Sequence, residues 1–562
     1  MSTDSARRLS SVLALTMASA TALAQSPRVG DVAVEMTHAA PIVALVDATP
    51  TLVQGTTERG GAVTAVKTPA DVAAFRFPAA RGHLRGYATN RIPVSASYGD
   101  HPALFDAASM IPPVSYTGCG RFDSSCRSVF TTVTSGDHPA RVMLEEKNLA
   151  AIGPLLASGA PLSTADQRVL MHRVLAGHEV APNSFAPVLG GIDRSSVAVI
   201  PTSPMTGVER PTMIYVGAAD GMLHAFCGSV KSGSCDRIGR ELWAYIPRTS
   251  LGSLRANSGA VEGSPHVVEV MGDFEKAGRR SLHTILLFST GSSGSVYALD
   301  VTNPANPSVV WEYASRDIAG TTMATGRVQL MTGPAYFAYV PTKSGVVALE
   351  METGRVAWKH EAQGVGGVAV TVKKGQIDEV VFGTAGGELW VLDALTGENR
   401  RHGPAFRFSE EGHPLATSPA IYTNADGETY ALAVSGAPNA ARTQYAIAIS
   451  LTARPNPAPL DEQSADSTRL PIVLAFDEPT SSRPSVIGKE LVFATRSKAY
   501  RVSFVTNTIA TADIPEGAAL SATSTGLFAT GLTSFGRVEI AASEPAAHTV
   551  STVVTSDDSS WY

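Results

Sequence analysis

The sequence predicts a mainly β protein, a modified β-propeller of about seven blades with a few short helices ahead of it. Three observations carry this prediction. A strand–turn–strand–strand unit spans residues 215–247. The unit recurs along the chain. In three copies a tryptophan falls at the same place.

The first unit reads YVGAADGMLHAFCG, a short Cys-containing insert, then RELWAYIP. An apolar run, an Asp220-Gly221 turn and a second apolar run form the strongest short-range hairpin signal in a sequence. The segment ELWAYI supplies a third strand. The next copies are TILLFS with GSSGSVYALD and VVWEY, then KSGVVALEMETGRVAW after 335–340, then VVFGTAGGELWVLDALTGE. Weaker copies lie at 430–450, 491–505 and 526–540, which makes seven candidate units. Their spacing is uneven but near the roughly 40–50 residues of a four-stranded blade. A single unit cannot bury both its faces, whereas radial stacking buries them and shortens the exposed edges. Trp243, Trp311 and Trp358 each lie one strand beyond the inner ALD- or ALE-like strand, where a large ring reaches the next blade.

The chain has 562 residues, 44% hydrophobic and 17% charged, with 50 Gly and 35 Pro. That composition suits a turn-rich β protein with a large core. A net charge of −6 and the lack of long basic runs give no case for nucleic-acid binding. Residues 1–24 read as a secretory signal: Arg7 and Arg8, an apolar stretch, then Ala22-Leu23-Ala24 before Gln25. No later stretch has ~18 consecutive apolar residues, so no transmembrane segment is expected. Export makes the four cysteines candidates for disulfides. Three pairings are formally open, and the local ones, Cys119 with Cys126 and Cys227 with Cys235, are expected.

The expected organisation is an extended segment over 25–80, a lead-in region of short helices and strands over 81–195, the propeller over 196–541 and a tail over 542–562. Within the first segment, PIVALVDATPT ends an apolar strand in D-x-T-x-T, a weak resemblance to the start of a metal-ion-dependent adhesion site; the plainer reading is a strand packed on the propeller. A short helix is expected over 101–110 and a strand over 127–133. The best helix starts after Ser163, with Asp166 three residues on and Val169, Leu170, Val174 and Leu175 on one face.

Four segments, LGGIDRSSVAVI, YVGAADGMLHAF, ELWAYIP and YALDVTNP followed by VVWEY, occur in the order and spacing of the PilC/PilY family of type IV pilus biogenesis and tip-adhesin proteins. RGHLRGY, LFDAAS and RSVFTT upstream also resemble it, so the likeness runs over 82–390. It implies a C-terminal propeller, minor pilins or other pilus components as partners, and a surface or host ligand. This chain resembles a short form without the family's large N-terminal half. Many members carry an acidic calcium loop at the place where this chain reads TVKKGQIDEVVFG. Lys373 and Lys374 stand where carboxylates are needed and only Asp378 remains. A hard cation needs several oxygen ligands, so no calcium is expected there, and no other cofactor.

The repeat SGVVALEMETGRVAW also resembles that of quinoprotein dehydrogenases. Those enzymes need a quinone site, usually with adjacent cysteines, and no two cysteines adjoin here. No G-x-S-x-G or H-E-x-x-H occurs, and the Gly-rich turns precede strands, where a phosphate cradle needs a helix. His224, mid-strand among apolar residues, reads as a hydrogen-bonded core histidine. The expectation is a non-enzymatic protein acting in pilus assembly, with a periplasmic scaffold unrelated to pili as the alternative.

Overall fold

The structure is a computed structural model that describes residues 35–545 apart from 39–40, 60–64, 99–100, 115–125, 136–137, 182–183, 203–209, 232–234, 292–293, 320–321, 374–375, 400–402, 409–412, 416, 425–426, 437–443, 452–471, 477, 479, 481–482, 507, 524–525, 532–533 and 541–543. The expected signal and most of the expected tail lie outside the described residues.

The fold is a β-propeller of eight blades. Each predicted unit forms a blade, and these seven are numbered 2 to 8 here in chain order. Their innermost strands are Ala198–Ile200, His266–Gly272, Ala324–Leu330, Val368–Lys373, Ala420–Thr423, Ser485–Ile487 and Ala519–Thr523. Blade 1 corrects the expected count of about seven. It is built from Ile42–Val46, Thr49–Arg59, Ala80–Ala88 and Phe105–Asp106, with Glu35–His38 alongside. Its long second strand buries Thr51, Gln54, Thr56 and Thr57, so the apolar pattern that marks the other units is missing.

Ring closure is visible in the core. One apolar cluster joins blades 1 and 2 through Val53, Leu84, Ile214 and Val216, and one joins blades 8 and 1 through Leu52, Tyr87, Phe528 and Phe535. Six further clusters bridge the consecutive pairs between. Burial is therefore shared between neighbours, and a blade cut from the ring would expose both faces. The last blade is completed from the N-terminal side: Ala96–Ser97 pairs with Ser534–Val538, Phe535 opposite Ala96. Blade 7 gains Glu544–Pro545. Blade 2 gains Val129–Ser135, parallel to Glu241–Tyr245, and then His138–Met143.

The helices Pro69–Ala74, Leu149–Leu156, Thr164–Ala176 and Leu251–Leu254 gather in a ninth cluster against Met222, Ala244 and Ile246 of blade 2. The third of them starts as the sequence predicts: Ser163 caps it and Asp166 closes a capping box. Over 101–110 the expected helix shrinks to a 3-10 turn, Ala107–Met110, capped by the Asp106 side chain. The D-x-T-x-T segment is a tight hairpin. Asp47 and Ala48 have φ of 45° and 62°, and Val46 pairs with Thr49. Thr51 is buried and donates to the Thr49 carbonyl at 2.9 Å, so it is turned into the blade.

Candidate functional site

A buried polar site lies where blade 2 meets the helical lead-in region. Four ionisable side chains meet there, all at most 5% exposed: Arg127, Asp220, His224 and Glu241. The Asp-Gly turn predicted from sequence sets the geometry. Gly221 has φ of 75°, which a side chain tolerates poorly, and Asp220 Oδ1 accepts from the Met222 N–H at 3.0 Å. That turn and strand Leu223–Cys227 bring His224 Nε2 to 3.1 Å from Asp220 Oδ2. On its other side His224 Nδ1 lies 2.7 Å from Glu241 Oε1. Arg127 completes a bidentate pair with Glu241, Nε to Oε2 at 2.7 Å and Nη2 to Oε1 at 3.1 Å, and donates to the Leu175 carbonyl at 3.3 Å. Asp220 Oδ2 also accepts from the Gly190 N–H at 2.9 Å.

Two cations and two anions alternate along this chain of bonds, and the net charge closes to zero. Burial alone would push the His224 pKa down. The Asp220 and Glu241 carboxylates overcome that and raise it to about 9. Burial would likewise raise Glu241, but the Arg127 charge and the His224 hydrogen bond take it down to about 2. Arg127 is driven higher still by Glu241, against its own desolvation. His224 is thus a hydrogen-bonded core residue, an imidazolium locked between two carboxylates. Sequence reasoning placed it in the core but missed its partners. Arg127 lies 114 residues from Glu241, and no local pattern joins them.

The three tryptophans share one arrangement. Trp243 Nε1 donates to the Pro304 carbonyl at 2.6 Å, Trp311 Nε1 to Met351 at 2.7 Å and Trp358 Nε1 to Ala394 at 3.1 Å, in each case a residue of the next blade. Each is cross-strand from an alanine, Ala225, Ala298 or Ala348. Each also follows a β-bulge at Leu242, Val310 or Ala357. The extra residue re-aims the strand and turns the ring out of its own blade. Gly354 and Gly397, in the turns of the receiving blades, leave room for it. A Cβ at either would fall 2.7 Å or 2.5 Å from a ring carbon of Trp311 or Trp358.

Cys227 and Cys235 form a disulfide. Cys126 is also disulfide-bonded, and Cys119 lies outside the described residues. At the place of the family's calcium loop, strands Val368–Lys373 and Gln376–Gly383 pair antiparallel, Lys373 opposite Gln376. Lys374 and the side chain of Asp378 lie outside the described residues. Ser281 Oγ lies 2.7 Å from His283 Nε2, and His283 Nδ1 lies 2.6 Å from Asp300 Oδ2, the bonding order of a hydrolase relay. Asp300 also caps its own turn through Thr302 N, so the trio braces the second and third strands of blade 3. Among the described residues no group of His, Cys, Asp and Glu could hold a metal ion, and no helix is long and apolar enough to cross a membrane.

Residues 234–483 match the family model described as outer membrane protein assembly factor BamB. The type IV pilus biogenesis factor PilY1 of Pseudomonas aeruginosa is 28% identical over 270 residues, 42% of this chain. The PilY1 homolog of Xylella fastidiosa is 28% identical over 236 residues, 38% of the chain. The chain is a PilY1-like β-propeller protein. The PilY1-like stretch covers 22% of the Pseudomonas protein and 18% of the Xylella one, so the chain spans about a fifth of the relatives it matches. Among solved structures, BamB from Moraxella catarrhalis aligns with 61% of this chain and 96% of its own at 11% identity and a TM-score of 0.33. BBS1N from its complex with ARL6DN covers 64% of this chain and 96% of its own at 12% identity and 0.35. Likeness that loose adds nothing to the argument.

Proposed function

We propose that this protein is exported and supports type IV pilus assembly by docking other proteins, without catalysis of its own. The observation that carries this reading is the similarity to proteins named type IV pilus biogenesis factors, over a chain that folds as a ring of blades. Minor pilins or other pilus components are the partners proposed, with twitching motility and surface adhesion as the processes served. The four-charge knot fits the same reading. It ties the lead-in region to blade 2 with no group left over for chemistry, as a rigid docking platform requires. Export rests on the signal pattern at 1–24 and on the disulfide, which persists in oxidising compartments. The test is deletion of the gene in its own organism. Loss of surface pili and twitching, restored by the full gene, is expected. Normal piliation in the deletion strain overturns the reading.

A further inference from the structure

We propose that residues 546–562 fold under the ring and cover an apolar face at one end of its blades, so that a protein docking on that face has to displace them. The cover itself does not depend on the pilus reading above; only the docking partner does. Each blade is antiparallel, so its first-to-second turn and its third-to-fourth connection fall at the same end. Bonds between blades tie these ends into one face. Asp47 N, in the first-to-second turn of blade 1, donates to the Gly228 carbonyl in the third-to-fourth connection of blade 2 at 2.9 Å. Arg280, closing the first-to-second loop of blade 3, donates to Glu352 in the third-to-fourth turn of blade 4 at 2.9 Å. Ten large apolar side chains are exposed among the described residues, and nine of them belong to this end. Leu45, Met271 and Met331 lie at the first-to-second turns of blades 1, 3 and 4, and Val356, Leu395 and Val505 at the third-to-fourth turns of blades 4, 5 and 7. Three more lie in the connections 89–104 and 228–240 of blades 1 and 2, and the tenth, Val169, is on the helix Thr164–Ala176. Single exposed aliphatics are ordinary, but their concentration on one face marks an interaction site. The helices of the lead-in region sit at the opposite end, against Met222.

The chain itself is led to this face. Strand Glu544–Pro545 lies antiparallel on Thr508–Asp513, the fourth strand of blade 7, with Glu544 opposite Ile509 and Pro545 opposite Thr508. It therefore runs toward the 504–507 turn, and Pro545 leaves the sheet beside Val505, which is 67% exposed. The seventeen residues that follow lie outside the described residues and can span about 56 Å when extended. That exceeds the radius of gyration of a compact chain of this length, roughly 24 Å, so the axis of the ring is within reach. They read AAHTVSTVVTSDDSSWY. A solvated tail is poor in aromatic and β-branched residues, whereas this one carries Val550, Val553, Val554 and the pair Trp561-Tyr562. The two aromatic side chains alone can bury about 150–250 Å² each. Met331, fully exposed at the tip of its hairpin, offers them an adaptable apolar contact.

The test is amide hydrogen exchange, read by mass spectrometry on the whole protein beside a synthetic peptide of residues 546–562. The amides of 546–562 in the protein are expected to exchange at least tenfold more slowly than in the peptide. Met331→Asp and Val505→Asp, both on exposed turns, should each speed that exchange about threefold or more and leave exchange within the blades unchanged. Trp561→Ser should do the same and raise the fluorescence of added anilinonaphthalene sulfonate at least twofold, because the face is then bare. Exchange of 546–562 at the peptide rate overturns the proposal, and so does slow exchange indifferent to all three variants. The same variants read out other occupants. A dimer in sedimentation that Met331→Asp dissolves assigns the face to a second copy, and flotation with phosphatidylglycerol vesicles that Met331→Asp abolishes assigns it to a lipid surface; either overturns the proposal. Normal piliation in the deletion strain sinks the pilus reading and leaves the cover standing.

Discussion

Arg127 and Glu241 stand 114 residues apart in the chain and share a bidentate ion pair, 2.7 Å and 3.1 Å, with both side chains at most 2% exposed. Among the described residues it is the most deeply buried ion pair between the lead-in region and the propeller. Removal of one partner leaves the other charged and buried, which costs about 3–5 kcal/mol in measured cases. Arg127→Ala is expected to lose that much stability in urea unfolding followed by intrinsic fluorescence. A loss below about 1 kcal/mol would show that the pair is not closed in solution.

The same knot sets a pH window. His224 has its pKa raised from 6.5 to about 9, so its contribution is complete below about 6.5 and is lost as pH rises through 9. Glu241 has its pKa lowered from 4.5 to about 2, so its contribution is complete above about 4.5 and is lost as pH falls toward 2. This part of the stability is greatest between roughly pH 4.5 and 6.5. Melting temperatures taken across pH 3–10 should show that plateau, and His224→Gln should flatten the alkaline limb. An unchanged alkaline limb in the variant contradicts the charged-histidine assignment.

Trp311 and Gly354 form a plug and socket across blades 3 and 4. Trp311→Ala should cost about 3–5 kcal/mol, and Trp311→Phe, which keeps most of the packing and loses the bond to Met351, about 1 kcal/mol. Gly354→Ala has to strain a φ of +68° and displace the ring. In the Trp311→Ala background the steric part of that cost should vanish. Strict additivity of the two changes in a double-mutant cycle would refute the contact.

The Cys227–Cys235 bridge closes a loop of sequence separation 8. The chain-entropy relation gives such a loop about 2–3 kcal/mol. The double variant Cys227→Ser, Cys235→Ser should lower stability by that amount, read by guanidinium unfolding under non-reducing conditions.

Gly536 holds the clasp of the ring. A Cβ there would come within 2.0 Å of the Val94 carbonyl oxygen. Gly536→Val is expected to lift the 94–97 segment from blade 8 and to speed limited proteolysis within it. An unchanged cleavage rate would show that the clasp is not what shields this segment.

What was legible follows from the range of each interaction. The hairpins of blades 2 to 5 are local, and Gly-bearing turns, apolar runs and, in blades 2 to 4, the Trp position announce them within about twenty residues. The Ser163–Asp166 box is local too, and the helix starts where the residues say. Blade 1 was hidden because its central strand packs Thr51, Gln54, Thr56 and Thr57 inside, so it reads as irregular chain. Arg127 looks like any strand-entering arginine until Glu241 is folded beside it.

The seam between the first blade and the last has a consequence for biosynthesis. Leu52, Tyr87 and Ile92 leave the ribosome well before their cover, Phe528 and Phe535. Vectorial emergence therefore leaves a greasy flank of the nascent chain waiting for some 440 further residues, the gap between Tyr87 and Phe528. A premature stop anywhere before residue 528 yields an open arc in which Leu52 and Tyr87 never receive Phe528 and Phe535.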